Sequence, residues 1–512
     1  MFLTRGPSSR VAALAIAASG VAAPFAQAQT FAINTAPTTS TVLAGGSVSF
    51  TAIEVGSASF SGQVKLSVSN LPANATAAFT PSTVTGGVWG VSVLKVTTTA
   101  ATPAGTYPLT ISATSGGTTH TTTAQLDVRK SFSFTHPGIL SGSTQLNWMA
   151  AQVNAGLSPW YGAYVTASAS ALGSQVYTPQ PLVTVDTGAT NSLVADSQAA
   201  YTQAVLWYIT RNSVYADNAI KIMNAWASTM TGGITGSNAR PVAVWTGDVW
   251  PRAAEIIRAS YLDANGASIW GTTGIAAFQN FLNTQYVPTV AAGFPYGNYG
   301  GNLHASAAAA AMNIGVFNDD ASTFFKGVDM WRTALPAYIY MTADGSNPVP
   351  PVNWTAANST TAKLLTLWYG QSADRNGLTE ETCRDLGHVH WGLAALANGA
   401  ETAYQQGFNL YAESTLGTAN ATRMQQGLEF NSTYQNGAVV PSTLCSGAIA
   451  MGSSVVTGEL AYNALVNRWS LSLPQLEAYL SARRPTGASY FMDWETLTHY
   501  GQPLVSRRAK GL

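Results

Sequence analysis

The sequence predicts a multidomain chain: an N-terminal all-β sandwich of immunoglobulin-like type, then a longer all-α region of stacked helical hairpins. Three observations carry this reading. Between Phe31 and Lys130 apolar residues alternate with Thr, Ser and Gly in short runs broken by Gly, Pro and Asn, the period-two pattern of a sandwich. After Arg129 the texture changes, and apolar residues recur at helical spacing to the end of the chain. No strand-like run intervenes between these helical segments, which implies helix packed on helix rather than alternating βα units.

Taken in order, Met1 to Ala28 read as a secretory signal. Arg5 and Arg10 supply the basic region, Val11 to Phe25 the apolar run and Ala26-Gln-Ala28 the small-residue cleavage site. That run is too short and too rich in Ala and Gly to span a bilayer, and no later stretch has spanning length. The sandwich is assigned to 31–129, with Val48-Ser-Phe-Thr-Ala-Ile, Val64-Lys-Leu-Ser-Val and Val91-Ser-Val-Leu-Lys-Val among its strands. It holds no acid pair or metal cluster, and reads as a spacer or attachment module. The helical domain is assigned to 134–503. Ala199 to Met230 gives two helices split near Asn212. Another is expected to begin at Trp250, with Pro251 in its first turn. Further helices follow over 275–282, 305–317, 321–331, 392–407 and 453–467, while 354–376 is partly loop. Residues 504–512 form a basic tail that frays.

Lys plus Arg and Asp plus Glu both number 23, so the chain is neutral and has no basic footprint for nucleic acid. Fourteen Trp and 21 Tyr beside only 9% charged residues suit a protein that handles stackable, weakly charged ligands such as sugars, and suit large apolar cores equally. Against that background Glu381-Thr-Cys-Arg384-Asp385-Leu-Gly-His388 concentrates four ionisable residues at i, i+3, i+4 and i+7. One helix face would carry all four, with Leu386, Val389, Leu393 and Leu396 on an apolar face. A salt-bridged helix surface explains the same spacing. Cys383 and Cys445 can pair in an oxidising compartment, tying this segment to a later loop, or remain two buried thiols.

The motifs His136-Pro-Gly-Ile-Leu, Ala155-Gly-Leu-Ser-Pro-Trp160, Asn302, Ile314-Gly-Val-Phe-Asn-Asp-Asp and Glu381-x-x-Arg384-Asp385-x-x-His388, in that order, resemble the alginate lyase superfamily of polysaccharide lyases. The resemblance implies an incomplete (α/α) toroid with a cleft on its concave face. It also implies β-elimination on an acidic polysaccharide substrate that contains uronic acid, without a metal or other cofactor. The sandwich resembles immunoglobulin-like modules of secreted bacterial enzymes. In the lyase family a Tyr often lies six or seven residues beyond the Arg, where this chain has His390 and Trp391.

Elimination at a 4-linked uronate requires the carboxylate to be neutralised, the C5 proton removed and the leaving oxygen protonated. A second cluster, Tyr296-Gly-Asn298-Tyr299-Gly-Gly-Asn302-Leu-His304, offers residue types for this. The resemblance assigns Asn302 and Arg384 to the carboxylate, and Asn302 also fits an ordinary helix N-cap. His304, in the first turn of its helix, would be kept neutral by the dipole, as a base must be, or is a structural histidine. His388 is the other candidate base. Tyr299, Tyr338, Glu381, Asp385 and His390 are assigned to binding substrate or orienting these groups. Tyr296, Tyr299 and Tyr338 are candidate acids, and His390 is a further one that ideal helix geometry points away from Arg384.

Three other readings use the same residues. An (α/α)-barrel glycoside hydrolase would use Glu381 and Asp385 as its carboxylate pair. A non-catalytic acidic-glycan-binding protein would follow from the missing Tyr. A metal site from Glu381, Asp385, His388 and His390 would need them on one face, and the HExxH order is absent.

Overall fold

The computed structural model describes residues 31–56, 60–86, 90–188, 192–291, 301–351, 361–452 and 456–503. The expected signal at 1–28, the basic tail at 504–512 and Tyr299 lie outside the described residues. The N-terminal unit contains β1 (Phe31–Ala36), β2 (Thr39–Leu43), β3 (Ser47–Gly56), β4 (Gln63–Ser69), β5 (Ala75–Thr80), β6 (Thr83–Thr85), β7 (Gly90–Thr98), β8 (Gly105–Ser115) and β9 (Thr118–Arg129). One sheet has the order β1-β3-β7-β5 and the other β2-β9-β8-β4-β6. In β4, β7, β8 and β9 alternate residues turn inward. Phe50, Leu94 and Val96 of one sheet meet Val64, Leu109, Ile111 and Leu126 of the other in one dry core.

The helical unit begins with α1 (Ser143–Asn154) and α2 (Trp160–Ala169), then α3 (Ser192–Thr210) and α4 (Ser213–Thr229). Asn212 separates α3 from α4, and its side chain accepts the Val214 N–H as the N-cap of α4. Next come α5 (Ala239–Ser260), α6 (Gly271–Gln285), α7 (Val287–Val290), α8 (Gly301–Phe317) and α9 (Ala321–Tyr338). After them come α10 (Thr361–Leu367), α11 (Leu386–Gln405), α12 (Asn420–Gln435), α13 (Glu459–Tyr462), α14 (Pro474–Ser481) and α15 (Glu495–His499). The sequence reading began this helix at Trp250, but α5 starts at Ala239 and Pro251 stands well inside it, not in its first turn. The apolar period that begins at Val242 outweighs the one backbone bond that Pro251 forgoes.

An inner row runs α3, α5, α8, α11, each packed on the next. An outer row backs it: α4 lies on α3, α9 on α8, and α12 on both α11 and α9. This alternation is the (α/α) toroid. The described part of α8 is buried from end to end, as an inner helix hydrophobic on all sides must be. None of the described helices is long and apolar enough to cross a membrane.

The two units share a fixed junction. Arg332 of α9, almost fully buried, donates to Glu413 Oε1 at 2.7 Å, to Asp329 Oδ1 at 3.0 Å and across the junction to the Thr39 carbonyl at 3.0 Å. The Ser40 hydroxyl donates to Asp329 from the same strand.

Candidate active site

The four ionisable residues of the central stretch do not share a helix face. Residues 380–384 form a turn, and α11 begins only at Leu386. Two local signals stop the helix from starting earlier. Asp385 adopts an extended backbone and caps α11 by accepting the His388 N–H at 2.9 Å. Thr379 and Thr382 close the turn through their hydroxyls, with the Thr379 N–H on Thr382 Oγ1 at 3.0 Å. Cys383 is disulfide-bonded to Cys445, with a Cα separation of 5.1 Å, so the turn is tied to a segment 62 residues away.

This turn buries the Glu381 carboxylate completely and surrounds it with donors from three elements. Asn302, in the first turn of α8, gives its amide nitrogen to both oxygens at 2.7 and 3.0 Å. Tyr338, at the end of α9, donates its hydroxyl at 3.0 Å, and the Arg384 guanidinium donates at 2.9 Å. Asn302 and Arg384, 82 positions apart in the chain, therefore meet on one carboxylate. The Tyr338 hydroxyl also lies 3.3 Å from the carbonyl of His388, linking this cluster to the first turn of α11. Gly301 makes the approach feasible, because a Cβ there would stand 2.2 Å from the Tyr338 ring.

Burial and the charge of Glu381 push the Glu380 carboxyl well above the usual carboxylate range. The Tyr338 phenol is likewise pushed well up by burial and by the Glu381 and Glu380 carboxylates, so it keeps its proton. Burial works against the Arg384 charge, but Glu381 more than compensates and the guanidinium stays protonated. With 35% of its side chain exposed, Arg384 is the donor of this cluster that reaches solvent.

Beside it, His388 Nδ1 lies 2.6 Å from Asp385 Oδ2, and the ring is 27% exposed. That bond fixes Nδ1 as the protonated nitrogen of the neutral ring and leaves Nε2 an acceptor. His388 also meets Trp391 edge-on with ring centres 5.0 Å apart. Trp391 in turn contacts Trp245 at 4.6 Å and Tyr490 at 5.2 Å, forming an aromatic wall next to the imidazole.

Two further expected members of the site, His304 and His390, have surroundings of their own. His304 sits two residues beyond Asn302, about 200° further round α8. It is buried, lines a cleft together with Met330 and Thr333 of α9, and burial lowers its pKa to about 4, so it is neutral. His390, two positions beyond His388, packs into the core against Tyr479 at 5.2 Å, with Gln435 Nε2 at 3.4 Å from its Nδ1. His388 and His390 thus diverge, and the four residues considered for a metal do not converge. Sequence reasoning missed Tyr369, Trp245 and Tyr490. Tyr369 is 45% exposed, with φ at +55°, and adjoins Arg384. Burial raises its phenol pKa, against the opposing pull of the Arg384 charge. It falls in a segment read as partly loop, where no periodic signal marks a site.

Residues 184–349 match the family model described as alginate lyase. Among solved structures, the chain is similar to a variant of alginate lyase A1-III complexed with tetrasaccharide. Identity is 15%, the match covers 72% of this chain and 98% of that chain, and the TM-score is 0.48. It is also similar to alginate lyase A1-III from Sphingomonas species A1, at 15% identity over 72% of this chain and 99% of that chain, with a TM-score of 0.43. No curated protein matches the chain.

Proposed function

We propose that this chain, whose residues 184–349 match the alginate lyase family model, is a polysaccharide lyase that cleaves a polyuronate by β-elimination at the Arg384–His388 face. The observation that carries the reading is the meeting of Asn302, Tyr338 and Arg384 on Glu381, with the Asp385–His388 pair at its edge.

The uronate carboxylate binds the outward donors of Arg384, whose charge offsets the negative charge that builds at C5 and the carboxylate during proton removal. Asn302, almost fully buried and bonded to Glu381, acts as a positioning residue: it holds Glu381, which holds Arg384. The Nε2 atom of His388 takes the C5 proton, and Asp385 stabilises the imidazolium that forms. The electron pair of the C5–H bond becomes the C4–C5 double bond as the C4–O bond breaks. The exposed Tyr369 hydroxyl protonates the departing oxygen, since Tyr338 is buried beneath Glu381. Trp391 and Tyr490 offer ring faces to the sugar beside His388.

A hydrolase reading fits less well, because Glu381 is buried with its oxygens occupied and Asp385 is engaged by His388. Residues 1–28 are read as a leader for export, in keeping with the Cys383–Cys445 bridge. The test is to incubate purified protein with alginate, glucuronan and other polyuronates and follow ultraviolet absorbance. An unsaturated uronyl end that absorbs is expected with at least one of them. New reducing ends without absorbance on every substrate would overturn elimination.

A further inference from the structure

Between the sandwich and the helical unit lies a cleft of about 890 Å³, lined by residues of both units, among them His304 of α8. Its sandwich wall is the end of β2, the Ala44–Gly46 turn and the start of β3. Its helical wall is one face of α9, where Ser322, Phe325, Lys326, Asp329, Met330 and Thr333 recur at three- and four-residue intervals. The Arg332 clamp fixes these walls relative to each other, so the cleft is preformed rather than a hinge gap.

Apolar side chains such as Val42, Val48, Phe325 and Met330 share its lining with polar ones. Hydroxyls of Thr41, Ser47, Ser49, Thr51 and Ser322 line it. Thr41 is buried, and its Oγ1 has no hydrogen-bond partner among the described residues. The anion of the cleft, Asp329, is already bonded to Arg332 and Ser40, and burial raises its carboxyl to about 7. Lys326 is the contrasting group: its ammonium has no hydrogen-bond or ion-pair partner among the described residues, and part burial lowers its pKa. Hydroxyls beside a cation with no bonded partner suit a ligand that carries both hydroxyls and negative charge. Neutral glycans would leave the cation unused, and an acidic peptide would leave the hydroxyl rows unpaired.

We propose that the sandwich–α9 cleft is a second binding site for an acidic polysaccharide, with Lys326 contacting a carboxylate and the β2–β3 hydroxyls contacting the sugar rings. The choice of a uronate polymer rests on the lyase reading above. The site holds the polymer while a separate stretch of it is cut, which raises the local concentration of cleavable bonds at the Arg384 face.

The experiment is affinity electrophoresis of the full chain in native gels containing alginate or a neutral glucan. An Arg384→Ala background removes turnover and active-site attachment. Lys326→Glu reverses the charge at an exposed position, and Ser49→Trp fills the cleft without changing charge. Thermal melts establish that both variants fold. Alginate is expected to retard the Arg384→Ala protein, each cleft variant to weaken that retardation roughly tenfold, and neutral glucan to have no effect. With Arg384 intact, Lys326→Glu should raise KM several-fold on the polymer while leaving kcat/KM on a short oligouronate unchanged. Retardation that survives both cleft variants, or equal retardation by glucan, overturns the proposal. Loss of retardation in a chain that cleaves no polyuronate would sink the lyase reading and leave the second site standing. Cleavage with retardation indifferent to Lys326 would do the reverse.

Discussion

At the scale of single residues, the site separates groups that hold from groups that reach out. Arg384→Lys keeps the charge but loses the planar fork that spans Glu381 and a substrate carboxylate. It should therefore lower kcat/KM by about 10²-fold to 10³-fold, measured by the ultraviolet assay. His388→Ala should remove turnover on polyuronates while leaving binding within a few-fold. Asp385→Asn should depress kcat more than KM, because the amide still caps α11 but no longer stabilises the imidazolium. Equal losses in kcat for Asp385→Asn and for a surface control would remove Asp385 from the mechanism. Part of this was legible in the sequence. Arg384, Asp385 and His388 stood out because charge is scarce in this chain, and the local Asp385–His388 pair could be read from spacing. Glu381 as the common acceptor could not, since its partners Asn302 and Tyr338 come from distant helices. Spacing alone does not place His304 with Asn302 or His390 with His388, since two positions on a helix is more than half a turn.

At the scale of elements, the turn at 380–384 does what a continuous helix was expected to do. Alternating and helical periodicity foretold the sandwich, the α3–α4 break at Asn212 and the apolar face of α11. They could not foretell where α11 begins, because Asp385 is as good an N-cap as it is a helix-face acid, and the Thr379–Thr382 bonds that close the turn before it carry no periodic signal. Two predictions belong here. Gly301→Ala places a methyl against the Tyr338 ring, and should cost about 1 to 3 kcal/mol in chemical denaturation along with most of the activity. Loss of activity with no change in stability would show that Tyr338 moves aside freely. Reducing the Cys383–Cys445 bridge should cost roughly 4 kcal/mol on chain-entropy grounds, given the 62-residue span, and lower Tm accordingly.

At the scale of the whole molecule, stability has a pH dependence set by a cluster remote from the site. His136 contacts Glu255 at 2.6 Å and Asp319 at 2.9 Å, with Arg258 bonded to both acids. Burial alone would lower its pKa, but the bonds to Asp319 and Glu255 overcome this and raise it to about 9. Since the folded value exceeds the unfolded one of 6.5, its contribution is fully present below pH 6.5 and is lost as pH rises through about 9. The unfolding free energy from chemical denaturation should fall across that window by an amount on the order of 3 kcal/mol, and His136→Gln should flatten the slope. A midpoint independent of pH between 6 and 9 in both proteins would refute the assignment.

The Arg332 junction bears on how a shorter form of this enzyme would behave. Cutting at the change of texture near Arg129 looks harmless from sequence, because the catalytic groups all lie downstream. Yet it would strip Arg332 of the Thr39 carbonyl and Asp329 of the Ser40 hydroxyl, and it would open the outer face of α9 to water. The truncated product is therefore expected to be poorly soluble and to melt early, so the smallest well-behaved catalyst begins upstream of β2.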